Sequence, residues 1–315
     1  MNGSTNKADY LDYLDYQEEL EQGTYRKPRN KPKQSRAETI SELVETGDGR
    51  ESFNPSFSAS RHERAWILSY LGGFYEDHVI SDVLRQVKGG KEATVYCCRA
   101  FPGIGVDLIA AKVYRPRMFR TMRNDTMYRR GRDILDDGGN RGRREFLAMK
   151  KRTGFGQELL HSSWLGNEFA TMQMLYNAGV SVPRPFTFSD NAILMEYVGE
   201  KDWPAPLLHS VRLSREEAGP LFDRLIGDVR TMLTLGRVHG DLSAHNILYW
   251  EGDVKIIDFP QAVDPGVNPE AYALLERDVT RLCQYFSHFG IGADPSSLTK
   301  DLWSEYEPVE YEAAE

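Results

Sequence analysis

The sequence predicts an α+β fold. Strand-like runs gather in the first half of the folding region, helical spacings dominate the second, and no internal repeat alternates the two. The chain has 315 residues, 40% hydrophobic and 27% charged, enough for one large domain or two modest ones around a buried core. Its 39 Lys and Arg against 47 Asp and Glu give a formal charge of −8. That balance argues against a protein coating nucleic acid with its whole surface, although it leaves room for a local basic patch. Three cysteines, two of them adjacent at Cys97 and Cys98, can form neither a disulfide framework nor a Cys-x-x-Cys metal site. No apolar run approaches the ~18–20 residues that span a bilayer, and MNGSTNKADY lacks the order of a secretory signal. A cytoplasmic protein without a membrane partner is the expectation.

Residues 1–60 read as a disordered polar tail: apolar residues are too sparse to offset chain entropy. From Arg61 the composition changes, and 65–87 has helical spacing of large apolar residues. Two strand-like runs come next, 93–101 and 107–115, joined by Pro102-Gly103 as a hairpin. Residues 115–152 hold 13 Arg and Lys against five acids, a net of +8, around a glycine-rich stretch; long loops of this kind are functional or flexible. Structure returns at 164–179, where Leu165, Phe169, Met172 and Tyr176 mark one helical face and Gly179 can cap the end. Val182-Pro183-Arg184-Pro185 stops that helix. Residues 191–199 read as a strand, 216–236 as a long helix, 246–250 and 253–258 as a hairpin around Glu251-Gly252, and 271–290 as a last helix before an acidic tail.

The strongest chemical signal is Val238-His239-Gly240-Asp241-Leu242-Ser243-Ala244-His245-Asn246, followed by Ile256-Ile257-Asp258. His-Gly-Asp alone could be a turn with a capping Asp. An Asp, an Asn five residues on, and a second Asp at the end of a hairpin suit phosphoryl transfer. One carboxylate orients the attacking hydroxyl; an amide oxygen and a second carboxylate are hard ligands for Mg²⁺. The second signal is Lys112 in the apolar strand Ala110-Ala111-Lys112. A lone strand lysine usually faces solvent at an edge, but inside a sheet its ammonium needs an anionic partner, and Glu168 on the amphipathic helix is the candidate. The third, Lys88-Gly89-Gly90-Lys91-Glu92-Ala93-Thr94-Val95, is a glycine turn between strands. It matches neither a Walker A loop nor G-x-G-x-x-G, and by itself it is weak.

The order of glycine turn, strand lysine, helix glutamate, Met-Glu-Tyr strand, HGDxxxxN and IID resembles a bilobal protein-kinase-like fold. GGKEATVY, YRPRMFR, NEFATMQMLYNAGVSVPRP, MEYVG, VHGDLSAHNIL, IIDFPQAV and ERDVTRL together resemble the RIO family of atypical serine/threonine protein kinases, over about residues 80–290. The resemblance implies an N-lobe over 61–198, with a basic flexible insertion at 115–163, and a truncated, mainly helical C-lobe over 199–300. Outside the resemblance, residues 301–315 read as an acidic tail. The resemblance further implies that Lys112 holds the α/β-phosphates of ATP with Glu168 behind it, and that Asp241 is the catalytic base. Asn246 and Asp258 would bind Mg²⁺, with Mn²⁺ as an alternative, and Gly89, Gly90, Lys91, Glu92 and Thr94 would cover the phosphates. Val95, Ala110, Met195 and Leu248 would sandwich the adenine, with hinge hydrogen bonds from Glu196 to Val198. In this family the metal-binding Asp, here Asp258, is thought to be transiently phosphorylated, with ATP turnover acting as a switch in ribosomal subunit assembly. His239 is expected to pack beneath Asp258.

Two departures from common protein kinases stand out. The lysine they carry two residues after the catalytic Asp is replaced by Ser243, which removes a cation that would neutralise charge on the γ-phosphate. No A-P-E segment comes after Asp241. RIO proteins share these features, and the polar N-terminus points to a minimal, prokaryotic-type member. The expected function is a Mg-ATP-dependent serine/threonine protein kinase with an unidentified protein substrate. Two alternatives stand beside it. One is an ATPase-switch assembly factor contacting RNA or a ribosomal particle through 115–152. The other is a small-molecule phosphotransferase of the aminoglycoside or choline kinase class.

Overall fold

An antiparallel sheet of five strands, in the order Ile80–Gly89, Ala93–Ala100, Leu108–Tyr114, Ala192–Glu196 and Pro185–Phe188, precedes a helical region that carries a two-stranded hairpin. The computed structural model describes residues 53–90, 93–114 and 154–306. The sheet comprises β1 (Ile80–Gly89), β2 (Ala93–Ala100), β3 (Leu108–Tyr114), β4 (Pro185–Phe188) and β5 (Ala192–Glu196). Helix α1 (Arg61–Glu76) precedes it, and α2 (Gly154–Asn177) lies between β3 and β4 in sequence. The second region holds α3 (Arg215–Thr234), the hairpin β6 (Ile247–Trp250) and β7 (Asp253–Ile256), then α4 (Ala271–Ser287) and α5 (Pro295–Ser304).

The alternation of strand side chains sorts the sheet into two faces. Tyr96, Cys98, Ile109, Ala111, Val113 and Leu194 share one cluster with Trp66, Ile67, Leu71 and Phe74 of α1. Cys97, Ala110, Tyr114, Ile193 and Met195 belong to the other cluster, with α2 and the helical region. The first face is closed further by the segment before α1. Phe53 and Phe57 pack against it, Phe57 N–H donates to Val83 O at 3.0 Å, and Ser56 hydrogen bonds to Asp82 through its N–H at 2.8 Å and its hydroxyl at 2.6 Å. Residues 53–60, expected to belong to the polar tail, therefore carry side chains that close this face of the sheet.

The helical spacing read over 65–87 belongs to two elements. Helix α1, N-capped by Ser60 onto Glu63 N–H, ends at Glu76; after His78, at φ 55°, the chain becomes β1. Register shifts interrupt the pairing of β1 with β2 at Ile80/Asp82, Val83/Arg85 and Gln86/Lys88. Each bulge adds a residue, so burial along the start of β1 repeats every third position and imitates a helix. The face expected on α2 is also rotated: Leu165, Met172 and Leu175 are buried, while Tyr176 is 38% exposed. Gly179, at φ +80°, lies just past its end as expected.

Strand β4 and helix α5 were also absent from the sequence reading. Strand β4 begins at Pro185 on the sheet edge, where a missing N–H costs no ladder bond. Helix α5 starts with Pro295 after the Asp294 cap and buries Leu302, so the acidic tail expected from residue 301 begins inside a helix. The hairpin at Glu251-Gly252 is as read, with both residues at positive φ as a tight two-residue turn demands. Leu302→Ala should lower the unfolding free energy by about 2–5 kcal/mol, measured by urea denaturation. An unchanged midpoint would show that α5 is not part of the cooperative unit.

Candidate active site

The site is built around Lys112. On β3 it pairs with Val95 of β2 and Ile193 of β5, so its side chain emerges mid-sheet and is only 12% exposed. An ammonium there must be neutralised. Its Nζ lies 2.9 Å from Glu168 Oε1 on α2 and 2.7 Å from Asp258 Oδ1 just beyond β7. Tyr114, two residues along and on the same face, donates its hydroxyl to Glu168 Oε2, and its ring centroid is 4.8 Å from the ammonium. Burial alone would lower the Lys112 pKa, but Asp258 and Glu168 hold it above the ordinary lysine value. Burial likewise favours a neutral Asp258, and Lys112 overrides it, keeping that carboxyl below the usual range. Lys88, at the end of β1, adds to this effect.

The loop between α3 and β6 carries Asp241 and Asn246. Its start is fixed by the reciprocal backbone bonds of Val238 and Val263, both 2.9 Å. Gly240 then turns at φ +77°. Asp278 of α4, 1% exposed, accepts Gly240 N–H at 2.8 Å and Leu242 N–H at 2.9 Å. Burial pushes the Asp278 carboxyl up to about 7 despite these donors and the neighbouring Arg277 and Arg281. Arg277 donates to Gly240 O, and Arg281 Nη1 lies 2.8 Å from Asp241 Oδ1. Asn246 Nδ2 donates to Asp241 O at 2.9 Å and approaches Asp241 Oδ2 at 3.3 Å. Ile257 N–H donates to Asn246 O at 2.9 Å, which stitches the Asn246 loop to the segment bearing Asp258. Asp258 itself sits at φ 76°, a conformation costly for a non-glycine residue and found at functional sites.

Lys112, Glu168 and Asp258 are thus in direct contact, and Asp241 and Asn246 are joined to that group through Ile257. Gly89 and Thr94 face each other where β1 meets β2, and Gly90 N–H donates to Ala93 O at 3.0 Å. Lys91 and Glu92 lie outside the described residues, as does the basic segment 115–152. Ala110 pairs with Met195, and Val95 shares their face, whereas Leu248 is half-buried on β6 opposite Lys255. At the expected hinge, Glu196 accepts Arg184 N–H at 3.0 Å through Oε2 and Val198 O accepts Ala205 N–H at 3.0 Å. The next turn requires Gly199: at φ +115° an added Cβ would lie 2.5 Å from Trp203 O.

The sequence reading missed the part played by α4. Arg277, Asp278 and Arg281 interrupt the otherwise apolar run Leu274, Leu275, Val279 and Leu282. A carboxylate on the buried side of a helix needs donors, and that was the available signal. His239, expected beneath Asp258, lies against the residue that follows Asp258, with 4.8 Å between its ring centroid and that of Phe259. Its Nε2 meets Ile257 O at 3.2 Å and its Nδ1 accepts Asp241 N–H at 3.3 Å, a pair of roles open only to the neutral ring.

The strand lysine paired with a helix glutamate, the Asp–Asn loop and the Asp after a short hairpin define a bilobal, kinase-like phosphotransferase fold. The RIO domain profile matches residues 122–298, more than half the chain, and the chain belongs to the RIO family. It is 36% identical over 135 residues to the RIO-type serine/threonine-protein kinase Rio1 of Thermoplasma acidophilum, covering 43% of this chain and 69% of that one. Rio2 of Methanocaldococcus jannaschii, also named a RIO-type serine/threonine-protein kinase, is 35% identical over 185 residues, 56% of this chain and 67% of the relative. The human serine/threonine-protein kinase RIO1 is 28% identical over 214 residues, 68% of this chain, and only 34% of its own length is spanned. No helix among the described residues is long and apolar enough to cross a membrane.

Burial lowers the His239 pKa below the usual histidine value, about 6.5. Its contribution to stability is therefore present above that pH and is lost as pH falls through it. Urea melts from pH 7.5 to 5 should show the stability advantage of the wild type over His239→Gln shrinking on acidification. An advantage that grows on acidification would show that the ring is charged in the fold.

Proposed function

We propose that this protein is a Mg-ATP-dependent serine/threonine protein kinase of the RIO type, transferring the γ-phosphoryl group of ATP to protein hydroxyls. The observation that carries this reading is the bridging of Lys112 to both Glu168 and Asp258, at 2.9 and 2.7 Å. It sets a cation suited to phosphate against a carboxylate suited to a metal, and the backbone bond from Ile257 N–H to Asn246 O links that pair to the loop of Asp241. The names of the RIO-type relatives support the same activity.

Lys112 would hold the α/β-phosphates, with Glu168 and Tyr114 fixing its direction. Asp241 would orient the acceptor hydroxyl and take up its proton. The donors offered to a divalent ion are the Asn246 amide oxygen and the Asp258 carboxylate, hard oxygen ligands suited to Mg²⁺, with Mn²⁺ as an alternative. When bound, that ion would neutralise charge on the phosphate oxygens. The ribose and base would lie against the face formed by Val95, Ala110 and Met195, with Glu196 to Val198 as the hinge.

A second reading is favoured by Asp258 itself. Its side chain is 40% exposed on a strained backbone, which suits a carboxylate that attacks the γ-phosphorus, releases ADP and later loses the phosphoryl group to water. ATP turnover would then work as a switch, and the segment 115–152, with its net charge of +8, would contact RNA or a ribosomal particle. The physiological acceptor would be a protein or an assembling particle in the cytoplasm.

Incubation with γ-labelled ATP separates the readings. Acid-stable label on serine or threonine is expected for the kinase, and base-labile label lost in Asp258→Asn for the switch. Asp241→Asn should reduce hydroxyl transfer by roughly a hundredfold or more while nucleotide binding persists. Asp258→Asn should lose metal-dependent turnover, and Lys112→Ala should weaken productive ATP binding. Turnover that survives Asp258→Asn would show the site to be misassigned.

A further inference from the structure

Three charged residues of α4 face the loop that carries Asp241, and they do different things. Asp278 and Arg277 engage the backbone of Gly240 and Leu242, a structural task. Arg281 instead meets the carboxylate of Asp241, with Nη1 2.8 Å from Oδ1. The two side chains are 37% and 39% exposed, and an ion pair so open to water adds little to folding stability. Its significance lies in what it does to Asp241. A carboxylate turns easily about its last torsion, and among the described residues its other side-chain hydrogen bond is the long approach of Asn246 to Oδ2, 3.3 Å.

Ser243, at the position where common protein kinases carry a lysine, brings no charge, and its hydroxyl oxygen accepts His245 N–H at 3.3 Å. We propose that Arg281 supplies from α4 the cation missing at position 243, and that it acts as a positioning residue for Asp241. By holding Oδ1 it fixes the carboxylate plane, leaves Oδ2 to the acceptor hydroxyl, and keeps a positive charge beside the site of transfer. This inference rests on Asp241 being the acceptor-side carboxylate of the proposed reaction.

The test uses the full-length protein with γ-labelled ATP and dephosphorylated casein as acceptor, monitoring acid-stable label in Arg281→Met, Arg281→Lys, Arg281→Ala and Asp241→Asn. Arg281→Met should lose kcat by roughly ten- to a hundredfold, the scale of a misoriented catalytic group, with KM for ATP and Tm unchanged. Arg281→Lys should recover most of that loss, because the contact uses one nitrogen and an ammonium can replace it. Added guanidinium should partly restore Arg281→Ala, a response that a structural role does not produce. An Arg281→Met variant with wild-type kcat, beside an inactive Asp241→Asn, would overturn this inference alone. Equal losses in the Met and Lys variants accompanied by a lowered Tm would overturn it too, by showing a structural role. Full activity in Asp241→Asn would overturn both this inference and the reading of the site on which it rests.

Discussion

An ammonium buried in the middle of a sheet dictates much of this architecture. Lys112 is 12% exposed on a strand whose neighbours on the same face are apolar, and an unpaired charge there would be severely destabilising. Its two carboxylates come from distant segments, Glu168 on α2 and Asp258 beyond β7. One charge thus ties the sheet, the helix beside it and the helical region together. Glu168 in turn is held by the Tyr114 hydroxyl from the same strand. The same contact draws the Asp258 carboxyl below its usual range, against the partial burial that would raise it.

A second constraint works from the opposite side. Asp278 brings a carboxylate into the apolar face of α4, where two backbone N–H groups of the Asp241 loop satisfy it. That exchange fixes a loop containing Gly240 at positive φ, and the Ile257–Asn246 bond couples it to the strained Asp258. The result is a site whose acidic groups are held by helices and a hairpin rather than by a free loop, as pre-organised chemistry requires.

Much of this was legible in the residues. The spacing of Asp241, Asn246 and Asp258, the strand lysine and its helix glutamate reflect chemistry that admits few side-chain types, so they can be read without coordinates. Other features were not legible, for identifiable reasons. Bulges gave β1 a burial period of three, so its sequence passed for a continuation of α1. The face of α2 was assigned to Tyr176 in place of Leu175 because both are apolar and adjacent, and only packing chooses between them. Strand β4 is four residues long and begins with proline, too short and too irregular for an alternation pattern. Phe53 and Phe57 lie in sequence of polar composition, and their burial depends on a sheet face formed by residues far along the chain.

Local periodicity, residue chemistry and charge were enough to establish the α+β class, the order of the chemical groups and the excess of cations between β3 and α2. Each of these is a property of a short stretch of chain. Folding in three dimensions settled which cation meets which carboxylate. Lys112 could have been an edge residue, Asp278 a surface acid and Arg281 a solvated charge on an exposed helix face. Pairing of this kind depends on which segments the folded core brings within a few ångströms, and 40 residues separate Asp241 from Arg281 while 146 separate Lys112 from Asp258. No local pattern encodes such distances. The serine at position 243 looked like a missing charge until α4 placed an arginine against Asp241.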